Sequence, residues 1–204
     1  MPYGYLGQNL PNQTKSNSGV FSISDVADLE KQGKFGGSLE LIEEINPSSV
    51  SSIEFTNIKE NKFDVHFLNF YVETTGSPKV HLSNNGGTSY ITSGYQEAAQ
   101  INFVNGTNSE QKSTSQTYFQ DIGYSTGTPI MKNGYAYYYN LGNSSKYSFN
   151  TYHTFSNHPT AFISFFGGGV HPTAETINAF KFSVSSGNFT GTVKLYGVKQ
   201  LWVL

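Results

Sequence analysis

The side chains best able to do chemistry in this 204-residue chain are five histidines: His66, His81, His153, His158 and His171. His153 and His158 stand five positions apart, and His158 and His171 each precede a proline, a spacing compatible with a loop-borne metal site. No HExxH or tight histidine pair accompanies them, so hydrogen-bonded or surface histidines are the simpler expectation, with no metal and no cofactor. Asp64 and His66 share one side of a predicted strand, but residues two apart on a strand meet too commonly to mark an acid–base pair. The serines lack a GxSxG elbow and the carboxylates show no diagnostic pairing. A role must come from a site, and no catalytic site is legible; the expectation is a protein that is not an enzyme.

The most suggestive constellation is aromatic. Tyr135, Tyr137 and Tyr139 alternate along a predicted strand, which puts three phenols on one face and Tyr138 on the other. Such rings can stack on the faces of a glycan while their hydroxyls hydrogen-bond, and they suit a subunit interface equally well. Ordinary packing is the plainer reading, because aromatic residues are enriched in strands.

The elements that must carry these residues are strands. Gly, Ser, Thr, Asn, Tyr and Phe dominate, and only 13% of residues are charged, a balance that suits short strands joined by turns. Phe180, Phe182 and Val184 fall in one phase of an extended run, and Val193, Leu195 and Val198 belong to a second. The small polar stretch between them predicts a hairpin over Ala179 to Lys199 that needs an opposing sheet. Val50 to Ile58 and Lys62 to Glu73 open the sheet region; the second run changes phase at its centre, which predicts a bulge or a strand with apolar residues on both faces. Val80 to Leu82, Tyr90 to Tyr95, Ala99 to Val104, Tyr118 to Tyr124, Tyr135 to Leu141, Tyr147 to Phe155 and Ala161 to Phe166 supply further strands. Gly167 to Gly169 reads as a bend. About ten strands fit two stacked antiparallel sheets.

The fold class expected is all-β: a two-sheet antiparallel β-sandwich over residues 47–204, preceded by an extended arm over 1–46. In the arm, Ser24 caps one short helix, Asp25 to Gln32, stopped by Gly33. Ser38 to Ile45 reads either as a strand or as more of the arm. Residues 1–19 hold isolated apolar side chains at Tyr3, Tyr5 and Leu6 among Pro, Gly and Asn, as expected of a segment that orders against a partner. A simply disordered terminus is the alternative.

Without cysteine, neither a disulfide nor a thiolate site can hold the fold. All 12 basic residues are lysine and the net charge is -2, so no nucleic-acid partner is expected. No apolar run has membrane-spanning length and no export signal is legible, so no membrane insertion is expected. The sequons at Asn12, Asn105, Asn143 and Asn188 then read as products of composition.

The runs GTVKLYGVK and VSSIEFTNI resemble the closing and opening strands of jelly-roll modules in virion proteins of tailed bacteriophages. The stretch SGVFSISDVADLEKQGKFGGSLELIEE looks like the region that precedes such modules in marine phages, including those of cyanobacteria. The likeness covers most of residues 18 to 58 and 179 to 199. It implies a noncatalytic particle component, assembled in the host cytoplasm and carried in the virion as a tail fibre, neck appendage or capsid decoration. It also implies attachment to other virion proteins through the arm and a homo-oligomer, with three as the copy number. The apolar end Leu201, Trp202, Val203 and Leu204 is assigned either to the domain's own core or to that subunit contact. Recognition of a host-surface glycan is the alternative function.

Overall fold

Two-residue alternation governs the chain from residue 39 onward. The structure, a computed structural model, describes residues 38–120, 128–158 and 161–199. The chain divides into two units, Met1–Leu39 with Lys199–Leu204, and Glu40–Val198. The second holds every strand residue that follows except Leu39.

Twelve strands form among the described residues, and no helix. In chain order they are β1 (Leu39–Ile45), β2 (Ser52–Phe55), β3 (Val65–Thr74), β4 (Pro78–Ser83), β5 (Tyr95–Phe103) and β6 (Asn108–Gln116). They continue as β7 (Phe119–Gln120), β8 (Ile130–Tyr139), β9 (Ser148–His158), β10 (Ala161–His171), β11 (Ala179–Val184) and β12 (Phe189–Val198). The larger sheet runs β1-β12-β3-β8-β9-β10-β5-β6, and the smaller β2-β11-β4-β7, whose last member is a two-residue strand on β4. From β1 to β4, and again over β7, β8, β11 and β12, successive members lie in opposite sheets; the pairs β5–β6 and β9–β10 both extend the larger one.

The two sheets meet through aromatic rings. Phe182 of β11 lies 5.4 Å from Phe70 of β3 and 5.3 Å from Phe189 of β12, and Phe180 lies 4.9 Å from Tyr138 of β8. Each is essentially without solvent contact. Burying one such ring contributes roughly 1.5–3 kcal/mol, so this seam is the main source of cohesion in a chain without disulfides.

Four expectations need correction. The C-terminal runs are strands but not a hairpin: β11 belongs to the smaller sheet and β12 to the larger. Both are apolar on one face, and those faces pack against each other across the core at Phe182 and Phe189. The sheet also begins before residue 47, since β1 is an edge strand beside β12. Gly167 to Gly169 lie mid-strand in β10, paired on both sides. Tyr90 to Tyr95 contributes only its last residue to a strand, β5. Of the two readings of the phase change near Phe67, the strand with apolar residues on both faces is the one observed: β3 pairs in unbroken register with β8 and β12. The predicted helix, the arm residues Tyr3, Tyr5 and Leu6, and the tail Leu201, Trp202, Val203 and Leu204 lie outside the described residues.

Candidate functional site on the outer face of the large sheet

The register brings Tyr135, Tyr137 and Tyr139 to the outer face of β8, while Ala136 and Tyr138 are buried beneath. Their rings form a row, 6.0 Å between Tyr135 and Tyr137 and 6.4 Å between Tyr137 and Tyr139. Phe67 of β3 joins it at 4.8 Å from Tyr137, and Tyr196 of β12 lies 5.9 Å beyond Phe67. On the other side the row passes from Tyr135 to His153 of β9 at 6.1 Å, then to Phe155 at 4.4 Å and Phe162 of β10 at 5.7 Å. Aromatic side chains therefore cross five strands on a face that no second sheet covers among the described residues.

Tyr71, Met131, Tyr135, Phe149, Phe162 and Phe166 on this face are each 37% or more exposed. At about 150–250 Å² per large side chain, they present roughly 500 Å² of mostly apolar surface. That is at the upper end of what a soluble monomer shows.

Toward β6 the relief falls away. One cross-strand row reads Tyr137, Thr151, Gly168, Ala98, Lys112 from β8 to β6, a descent from a phenol to a bare backbone. The glycine on this face is forced by the neighbouring strand: a Cβ on Gly168 would lie 2.6 Å from the Asn150 carbonyl oxygen. The result is a trough, bounded by Phe166 on one side and Phe149 on the other.

The histidines are scattered. His66 points into the core, its Nε2 2.8 Å from the Ile58 carbonyl; burial pulls its pKa down to about 4. Asp64, just before β3, is exposed, so the two do not form a solvent-accessible pair. His81 lies on the opposite, smaller sheet beside Tyr118, its pKa pulled to about 4 by burial and by the charges of Lys181 and Lys79. His153 bonds Ser164 Oγ at 3.0 Å within the aromatic row, and His171 meets Glu175 at 2.7 Å. His153 and His158 fall in opposite phases of β9 and do not converge. Among the described residues no three metal-ligating side chains cluster.

Sequence reasoning found the tyrosine row and missed the trough. Phe149 and Phe166 lie inside predicted strand runs with nothing to mark them as outward, and β6 carries no hydrophobic pattern at all. The available signal was the glycine run directly after Phe166, since glycine inside a strand marks a close approach of backbone or ligand.

Fold and site together define an all-β, two-sheet sandwich with an open aromatic outer face. Compared with family models, curated proteins and solved structures, the chain matches none.

Proposed function

We propose that this chain is a noncatalytic structural component of a tailed-phage virion, a tail-fibre or appendage module, and that it assembles through the outer face of its large sheet. The observation that carries the reading is the strand order. Setting aside the inserted pairs β5–β6 and β9–β10, the two sheets read β1-β12-β3-β8 and β2-β11-β4-β7, an interleaving that fits an eight-stranded jelly roll, the architecture of many viral coat and lectin domains. This agrees with the resemblance of the first and last strands to virion modules. Attachment falls to the N-terminal arm with Tyr3, Tyr5 and Leu6, and self-association, as a trimer by the same resemblance, to exposed aromatic surface. The patch of Tyr71, Met131, Phe155 and Phe162 is best suited to the subunit contact, and Leu201 to Leu204 are assigned to the same role. Mass spectrometry of purified particles tests the reading: recovery in fixed copy number with the other particle proteins supports it, and absence from particles refutes it. Deleting residues 1–19 should reduce incorporation while leaving the sandwich folded.

A second reading, recognition of a host-surface glycan, is favoured by the tyrosine row and the trough beside it. A sheet face bearing both rings and hydrogen-bonding groups matches the amphipathic surface of a sugar.

A further inference from the structure

The trough has a shape and a chemistry of its own. It runs across the strands from Tyr137 on β8 to the edge strand β6, and Ala98 stands in the middle of its floor. On one side of Ala98 a hollow of about 400 Å³ is walled by Phe166, Gln100 and Glu110. On the other side a hollow of about 330 Å³ is walled by Phe149, Gln96 and Thr114. Both volumes lie in the range of ligand sites, yet both are shallow and open, which suits a chain laid along a surface better than a small molecule engulfed by it.

The walls alternate in character. Phe166 and Phe149 are 47% and 44% exposed, so their rings are available for stacking. The register sets them four residues apart along the strand direction, Phe166 on its own strand and Phe149 opposite Val170. At 3.3 Å per residue that is about 13 Å, a span for a short oligosaccharide rather than a single ring. Between and beyond the rings stand two glutamine side chains, a threonine, and the pair Glu110–Lys112. Amides, hydroxyls, carboxylate and ammonium are the donors and acceptors that sugar hydroxyls need.

The charge is balanced as well. Lys112 Nζ lies 3.3 Å from Glu110 Oε2, with both side chains largely in solvent. The exposed pair holds itself weakly, so both groups are free to turn to a ligand, and together they impose no net charge on it. We infer that this trough is a binding subsite for a short stretch of neutral glycan laid over its floor from Phe149 to Phe166, with the two rings stacking on sugars at its ends and Gln96, Gln100, Glu110 and Lys112 bonding the hydroxyls. The inference rests on the glycan reading and centres it on Ala98, beyond the tyrosine row.

The test is a panel of neutral oligosaccharides, of gluco-, galacto-, manno- and xylo-configuration, screened against the full chain, with affinities of any binders measured by titration calorimetry. The variants are Ala98→Phe, which fills the floor from its solvent side, Phe149→Ala, and Tyr118→Ala, beside His81 on the smaller sheet, each checked by circular dichroism for an unchanged fold. The expected result is binding that Ala98→Phe abolishes, that Phe149→Ala weakens about tenfold, and that Tyr118→Ala leaves within about twofold. Binding that is indifferent to Ala98→Phe and Phe149→Ala overturns the trough while leaving glycan recognition standing. Failure of the unaltered chain to bind any member of the panel overturns both.

Discussion

Lys132 offers the sharpest physical prediction, because it is a fully buried cation on the inner face of β8. Its Nζ donates to the carbonyls of Thr74 at 3.0 Å and Gly76 at 2.8 Å, tying down the connection between β3 and β4. Burial disfavours the charged form and pulls its pKa from 10.5 down to about 8. Below about pH 8 the amine is charged in both folded and unfolded chains and contributes no pH dependence. Between about pH 8 and 10 the unfolded chain keeps a proton that the folded chain gives up, so stability rises with pH. The full effect is about 3 kcal/mol, at no more than about 1.4 kcal/mol per pH unit. Lys79, also lowered by burial, acts in the same direction, whereas Tyr90, raised to about 12, opposes it above pH 10. Lys132→Met isolates the Lys132 share. In the variant two carbonyls lose their donor, at about 1–3 kcal/mol each, against relief from a buried charge. Urea unfolding of both proteins from about pH 7 to about pH 10 should show the wild type gaining on the variant by roughly 2 kcal/mol across the series. Parallel stability curves would refute the reasoning.

His66 and His81, both pulled down to about 4, take up protons in the unfolded chain first. Stability present above about pH 6.5 should therefore fall as pH drops toward 4, and the loss should be smaller in His66→Leu, measured by thermal unfolding across that range. Phe182→Ala removes the ring that bridges Phe70 and Phe189 and should cost about 3–5 kcal/mol in chemical denaturation; a cost under about 1 kcal/mol would mean the sheets are not held there. Gly168→Val drives a branched side chain toward the Asn150 carbonyl and should destabilise the fold by more than Thr151→Val on the same cross-strand row, judged by Tm.

The parts of the fold legible in the sequence were those with a two-residue period and one dry face. Phe180–Phe182–Val184 and Val193–Leu195 announced β11 and β12, and Tyr135–Tyr137–Tyr139 announced a row on one face of β8, though not that this face is the outer one. Pairing was not legible, because an apolar stripe states that a face is buried and not against what; β11 and β12 are adjacent in sequence and still belong to opposite sheets. Asn108–Gln116 was invisible for the opposite reason. As the edge strand of the large sheet, β6 is wet or half-wet throughout, so nothing selects hydrophobic alternation there. The trough depends on register across β8, β9, β10, β5 and β6, a property of long-range pairing that no local run encodes.

Assembly through the large sheet is the central claim, and light scattering coupled to size exclusion tests it most directly. The chain at micromolar concentration should elute as a monodisperse trimer, and a Tyr71→Ser, Phe162→Ser variant with an unchanged circular dichroism spectrum should elute as a monomer. A monodisperse monomer of the unaltered chain, or a trimer indifferent to those two substitutions, would contradict it.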